Sequence, residues 1–238
     1  MQHFKIILCF TVLLVLNGCA RNGAVRIDNV PMYGQPEIER PAILQQADEA
    51  FIIQASSAFK SREEASMAWF NKGEQYMRQG DLDLAMRRYN QSWLLNPNYF
   101  GPYWGFARVM IRQGEIDEAL THISKAKALI NDPYQEVALL TDMGVVYSLK
   151  ALESPESEKH YYFNLANESF QKSINMDPTY PESWRYWAYS RLEQGKCEEA
   201  RQNATQATKL GNVKISDSFM KSLNEKCSQS SANTEREE

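Results

Sequence analysis

The chain has 238 residues, of which 43% are hydrophobic and 24% are charged. This composition excludes a wholly disordered chain and a protein with many membrane spans. Lys and Arg number 26 against 30 Asp and Glu, so the net charge is -4 and no basic excess exists to neutralise nucleic acid phosphates. With 11 Gly and 9 Pro, the chain is also poor in the turn residues of an all-β protein.

The first residues of the chain have the pattern of an export signal. Ile6–Leu16 form a run of 11 residues that is almost entirely apolar. This run is shorter than the span of about 20 residues that crosses a bilayer, but it fits the hydrophobic region of a secretory signal peptide. The sequence of Leu16–Cys19, Leu-Asn-Gly-Cys, resembles the lipobox of bacterial lipoproteins. An ordinary signal peptide followed by an unrelated cysteine is the alternative.

The resemblance to a lipobox implies both cleavage of the signal peptide and a location in the cell. Residues 1–18 are expected to be removed as a signal peptide, and Cys19 is expected to carry the acyl chains, palmitate among them, that anchor the protein. Ala20, rather than aspartate, follows this cysteine. By resemblance to enterobacterial sorting rules, this favours the outer membrane of a Gram-negative bacterium, with the protein facing the periplasm. Removal of Lys5 leaves a chain with a net charge of -5.

Three segments flank the middle of the chain. Residues 19–42 contain three prolines and two glycines and lack apolar periodicity, so we expect a lipidated N-terminus followed by an extended, semi-flexible tether. Residues 43–61 recover helical spacing and predict a leading helix. Residues 228–238 are polar and charged, which predicts a disordered tail.

An internal period of 34 residues dominates the middle of the chain. Similar side chains recur at this interval: Gly80 and Gly114, Ala85 and Ala119, Ala166 and Ala200. A constant interval of this length is typical of a repeat protein, in which each unit buries its apolar face against its neighbours.

The first unit carries large and small side chains in a recognisable order: Trp69, Gly73, Tyr76, Ala85, Tyr89 and Pro97. At these positions it resembles the tetratricopeptide repeat (TPR), and four units are predicted at about 66–99, 100–136, 137–180 and 181–214. The resemblance implies an all-α fold, a TPR solenoid of antiparallel helix pairs over residues 62–227. In such arrays a final helix covers the last repeat, and residues 216–227 fit that capping role.

The third unit is longer than the first. Gly144 and Ala166 are 22 residues apart, whereas Gly73 and Ala85 are 12 apart. The ten extra residues fall at about 149–161, and we expect both helices of this pair to be lengthened and to turn at Ser154-Pro155. A protruding hairpin of this kind could dock a partner, or it could be a neutral variation in length.

Two cysteines remain after Cys9 is lost with the signal peptide and Cys19 is lipidated. Cys197 is predicted at the start of the second helix of the last pair, and Cys227 at the end of the capping helix. Both lie 15 residues from Asn212, so an antiparallel arrangement of these helices brings them together. An exported protein permits a disulfide, which we predict between Cys197 and Cys227. Two separate buried thiols are the alternative.

Nothing in the sequence indicates a catalytic site. After signal removal, His122 and His160 are the remaining histidines, and neither belongs to a recognisable catalytic motif. Two cysteines without a nearby histidine give too few ligands for a metal site. We therefore expect no enzyme activity, no metal and no cofactor. An enzyme of the cell envelope with an unrecognised site is the alternative.

In the TPR family, the first helix of each pair lines a concave groove. Carried onto this sequence, the groove positions are Phe70, Glu74, Met77, Arg78, Trp104, Arg108, Ile111, Arg112, Thr141, Val145, Ser148, Arg185, Tyr189 and Glu193. Aromatic residues with arginine are typical of binding hot spots. The four arginines could hold carboxylates of a peptide. Alternatively, Trp104 and Tyr189 pack between repeats.

These features favour an adaptor over a catalyst. We expect a membrane-anchored periplasmic scaffold whose groove binds a protein or peptide partner and recruits it to the outer membrane. The architecture resembles that of adaptor lipoproteins for cell-wall enzymes and of lipoproteins that assist pilus or secretion assemblies. A structural subunit bound through its convex face or through residues 149–161 is a further alternative.

Overall fold

The structure, a computed structural model, describes residues 26–211 and 215–234, with side chains as far as residue 228. The predicted signal peptide and Cys19 lie outside the described residues. Ten α-helices are present in the described ranges: α1 (Ala42–Ser57), α2 (Arg62–Gln79), α3 (Leu82–Leu95), α4 (Phe100–Gln113), α5 (Ile116–Leu129), α6 (Pro133–Glu153), α7 (Glu156–Met176), α8 (Pro181–Glu193), α9 (Cys197–Leu210) and α10 (Asp217–Thr234). None of these helices is both long and apolar enough to cross a bilayer.

Helices α2 to α9 form four antiparallel pairs, which confirms the predicted all-α class and TPR-like fold. Three of the pairs turn at the same place, because Gly80, Gly114 and Gly195 adopt left-handed backbone with φ of 78°, 79° and 71°. Glycine reaches this conformation without steric cost, and it ends the first helix of each of these pairs. In the first pair, the second helix, α3, begins directly after this turn, and the Asp81 carboxylate caps it by accepting the Leu84 N–H at 2.9 Å.

Close approach of neighbouring helices requires glycine at three further positions. The ring of Tyr89 in α3 lies between Gly73 of α2 and Gly105 of α4, and a Cβ on Gly105 would lie 2.5 Å from the Tyr89 Cδ1. The third pair repeats the contact, since a Cβ on Gly144 would lie 2.7 Å from the Phe170 ring. Small residues on one helix therefore make room for a large ring on the next.

The third pair is lengthened as predicted. Helices α6 and α7 each have 21 residues, against 14 in each helix of the second pair. They meet at Ser154-Pro155, where Pro155 precedes the first residue of α7. The added residues extend both helices rather than forming a loop.

The C-terminal helix covers the last pair. Phe219 and Leu223 of α10 pack on Ala188 and Leu192 of α8 and on alanines of α9. The disulfide predicted between Cys197 and Cys227 is present, with the two Cα atoms 5.8 Å apart. Helix α10 continues to Thr234, beyond the predicted end of the capping helix, so the prediction of a disordered tail from residue 228 is corrected for residues 228–234. This segment contains no proline or glycine that would end the helix.

The prediction of an extended spacer over residues 19–42 was wrong for residues 27–40, because two short 3-10 helices, Ile27–Asn29 and Pro31–Gly34, pack on α3 and Arg40 contacts α1. The side-chain amide of Asn90 donates to the carbonyls of Val30 (2.8 Å) and Asp28 (3.2 Å) and accepts the N–H of Tyr33. Arg40 forms a buried ion pair with Asp48 of α1, at 2.7 Å. Composition alone did not reveal that one buried asparagine satisfies three backbone groups of this segment.

Candidate partner-binding groove

The first helices of the pairs, α2, α4, α6 and α8, contribute side chains to neighbouring pockets on one face of the protein. Two adjacent pockets lie along this face, and both include Tyr186 of α8 in their walls. We call them the polar pocket, about 370 Å³, and the apolar pocket, about 400 Å³. The polar pocket is lined mainly by charged and aromatic residues: Glu74, Trp104, Arg108, Asp142, Tyr180, Glu182, Arg185 and Tyr186. The apolar pocket is lined mainly by Val145, Leu149, Leu152, Tyr186, Tyr189 and Phe219.

Arg108 is the centre of an ionic network in the polar pocket. Its guanidinium donates to Glu74, and its Nε lies 3.7 Å from the Asp142 carboxylate. Glu74 also accepts the hydroxyl of Tyr89 at 2.6 Å, and Asp142 accepts the indole N–H of Trp104 at 2.8 Å. Burial lowers the pKa of Arg108, but the charges of Asp142 and Glu74 together outweigh burial, so the pKa is raised. The network joins α2, α3, α4 and α6.

The second arginine of the polar pocket is also paired. Arg185 donates from Nε to Glu182 at 2.6 Å, and its guanidinium carbon lies 4.3 Å from the centre of the Tyr186 ring. Arg108 and Arg185 each bind carboxylates of this chain, which disfavours the hypothesis that they hold carboxylates of a peptide. The predicted Arg78 and Arg112 are exposed.

Burial is the main cause of the pKa shifts in the polar pocket. Burial is the largest cause that raises the pKa of Asp142, and Glu74 and Glu182 add to it, in spite of Arg108. Burial, followed by the charges of Asp142 and Glu182, raises the pKa of Tyr180 to about 12. Both shifts indicate that further negative charge is disfavoured here.

The apolar pocket is built from three elements that the repeat pattern alone does not bring together. Leu149 and Leu152 come from the lengthened part of α6, Tyr189 from α8 and Phe219 from the capping helix α10. The rings of Tyr189 and Phe219 are 4.5 Å apart. The lengthening of the third pair and the capping helix therefore both contribute walls to this pocket.

The structure divides the predicted groove residues into three groups. Most of them line one of the two pockets: Glu74, Trp104, Arg108, Thr141, Val145, Ser148, Arg185, Tyr189 and Glu193. Phe70 and Met77 are buried in the core, and Ile111 packs against it. Arg78 and Arg112 are exposed outside both pockets.

Two of the pocket residues are also packing residues. Trp104 is only 8% exposed and stacks on Phe70, with ring centres 6.4 Å apart. The Thr141 hydroxyl is buried and lies 2.7 Å from that of Ser183. Trp104 thus both packs between repeats and forms a wall of the polar pocket, so the two interpretations of this residue are compatible.

Sequence reasoning missed Asp142, Tyr186, Leu149 and Leu152. One signal was available for the apolar residues, because Leu149 and Leu152 follow the predicted Val145 by four and seven residues and so share its helix face. Asp142 follows Thr141 directly and was not selected by the family positions.

The histidine of α5 serves the core rather than a site. His122 is buried, with its ring 5.4 Å from that of Phe106, and burial lowers its pKa to about 4. The structure shows no cluster of three or more potential metal ligands in residues 26–211 and 215–234.

His122 makes stability depend on pH. Its unfolded-state pKa is 6.5 and its folded-state pKa about 4, so the unfolded chain binds an extra proton between these values and stability is lost as the pH falls through this range. We expect the wild type to lose about 2 kcal/mol more than His122→Leu between about pH 7.5 and about pH 5, measured by urea unfolding. His160→Leu, at an exposed site, should retain the wild-type pH dependence. Equal losses in the wild type and His122→Leu would contradict this assignment.

A family model and one of the similar solved structures agree with this architecture. The tetratricopeptide repeat family matches residues 76–141. Among solved structures, the TPR protein TTC0263 from Thermus thermophilus is 16% identical, with a TM-score of 0.59 over 68% of this chain and 80% of that one. The crystal structure of MamA is 17% identical, with a TM-score of 0.46 over 73% of this chain and 96% of that one. The comparison with curated proteins found no match.

Proposed function

Because the chain contains tetratricopeptide repeats in a TPR-like fold, we propose that it is an adaptor that binds a protein partner in its groove. We further propose that acyl chains on Cys19 anchor it in the outer membrane, facing the periplasm, where it recruits this partner. A cell-wall enzyme or a component of a pilus or secretion assembly is the partner class that we propose. The activity is binding rather than catalysis.

The observation that carries the proposal is the pair of adjacent pockets on the face lined by the first helices. Together they offer aromatic, aliphatic and charged side chains along α2, α4, α6 and α8. Aromatic residues and arginine are enriched among the anchors of protein interfaces. Recruitment adds to affinity, because confining one partner to a membrane raises its effective concentration for others on that surface.

Photo-crosslinking in cells tests which surface binds. A crosslinking amino acid at Ser218, beside the apolar pocket, should capture a specific partner, whereas the same residue at Tyr161 on the lengthened hairpin or at Lys172 should not. Mass spectrometry identifies the captured protein. Capture from Tyr161 alone would contradict groove binding and favour docking through the hairpin.

The variant Cys19→Ser tests the anchor separately. We expect the same partner to be captured from Ser218 but to move from the membrane fraction to the soluble fraction, because the proposed lipid is lost. If the captured complex stays with the membrane in Cys19→Ser, the proposed anchoring role is wrong although groove binding stands.

A further inference from the structure

The polar pocket carries one more negative than positive charge. Its carboxylates are Glu74, Asp142 and Glu182, and its cations are Arg108 and Arg185. Arg108 contacts the first two carboxylates, and Arg185 contacts the third. No cation of the described chain besides these two lines the pocket, so one carboxylate charge is left without a balancing cation.

The aromatic walls of this pocket suit a cation as well. Trp104, Tyr180 and Tyr186 line the cavity, and the face of an aromatic ring attracts Lys or Arg within about 6 Å. Arg108 over Trp104 and Arg185 over Tyr186 already make this contact within the chain, so Tyr180 is the ring of this set that has no cation of the described residues over it.

The adjacent pocket has a different chemistry. Its aliphatic and aromatic walls include Leu149, Leu152 and Phe219, and Glu193 at its edge is already paired with Lys226 at 2.8 Å. Burial of an apolar side chain here removes apolar surface of both molecules from water. Since Tyr186 belongs to both pockets, one extended segment can fill them together, as side chains two residues apart on a strand point to the same side about 7 Å apart.

We propose that the partner presents a segment in which a lysine or arginine side chain enters the polar pocket and a bulky apolar side chain enters the apolar pocket. This specificity rests on the proposed function, of which it defines the ligand chemistry. The net charge of -5 of the chain after residues 1–18 adds a long-range attraction for basic partners.

Selection from a random 12-residue peptide library tests the ligand chemistry. The bait is the full exported chain with Cys19→Ser, and the selected peptides are expected to combine a basic residue with a bulky apolar one. Fluorescence anisotropy of the strongest peptide then gives Kd for the wild type and for groove variants. We expect Kd to rise with NaCl concentration, because salt screens the contact with the basic residue.

Two variants separate the pockets. Glu182→Lys reverses a charge of the polar pocket and should raise Kd at least about tenfold, whereas Glu158→Lys makes the same change on an exposed part of α7 and should leave Kd unchanged. Leu152→Gln should raise Kd by at least about threefold through lost apolar burial, and Ile53→Gln on α1 is its control. Far-ultraviolet circular dichroism checks folding, and Glu182→Gln replaces Glu182→Lys if the latter does not fold.

Other outcomes overturn the inference. Selected peptides that are acidic or uncharged, or a Kd that neither Glu182 variant changes, would show that the groove does not prefer a basic segment. Failure to select any groove-binding peptide would also overturn it. Photo-crosslinking from Ser218 in cells tests the proposed adaptor function separately, so failure of the peptide experiments can be told apart from failure of that function.

Discussion

Replacing Tyr89 by alanine is expected to lower the free energy of unfolding by about 3–5 kcal/mol. The ring is fully buried and lies between Gly73 and Gly105, so its removal leaves a cavity between two helix pairs. The substitution also removes the hydroxyl that donates to Glu74, which then loses one of its partners in the ionic network. Urea unfolding of the wild type and the variant measures the difference.

Two control variants separate the contributions of ring and hydroxyl. Tyr89→Phe keeps the ring and should cost about 1–3 kcal/mol, because it leaves a partly buried carboxylate oxygen of Glu74 without its donor. Tyr134→Ala removes a tyrosine that is 90% exposed and should change stability by less than about 0.5 kcal/mol. If Tyr89→Ala costs no more than Tyr89→Phe, the ring does not hold the two pairs together.

Loss of the disulfide is expected to destabilise the C-terminal end by about 3.5 kcal/mol, from loop-closure entropy over the 30 residues between Cys197 and Cys227. Each repeat of a solenoid contacts mainly its neighbours, so the loss should be local to α9 and α10. Hydrogen exchange in the double variant Cys197→Ser/Cys227→Ser should therefore increase in these helices and not in α2–α5.

Reduction provides the matched comparison for the cysteine variant. A dithiol reductant should increase exchange in α10 of the wild type and leave the double variant unchanged. Because Phe219 of α10 is a wall of the apolar pocket, both treatments should also weaken binding of a groove ligand. Unchanged exchange of α10 after reduction would show that Phe219 and Leu223 hold the helix without the covalent link.

The sequence predicted the repeat architecture well because this depends on local and periodic features. Alternation of small and large side chains set the helix pairs, and Gly80 and Gly114 marked two of the turns. The ten added residues, which fall within the range 149–161, predicted the lengthened third pair, since a helix pair can lengthen without changing its neighbours. Each of these features is visible within one or two repeats.

The composition of the groove was harder to predict. The positions that line the groove in the TPR family assign a residue to one face of a helix. Whether that face is exposed depends on the side chains of the neighbouring helices. Phe70 is covered by Tyr99 and Trp104, with ring centres 5.8 Å and 6.4 Å away. The partners of Arg108 come from α2 and α6, and no spacing within α4 reveals them.

If Cys19 is lipidated as we propose, the docking of residues 27–34 on α3 limits how far this protein can extend from the membrane. From Cys19 to residue 42, a fully stretched chain would cover about 80 Å, whereas from Cys19 to Arg26 it covers at most about 25 Å. Under the proposed lipidation, the linker between the lipid and the solenoid is therefore short, and the α3 side of the solenoid lies nearest the bilayer. A partner bound by such a protein would stay close to the membrane surface and would not reach far into the periplasm.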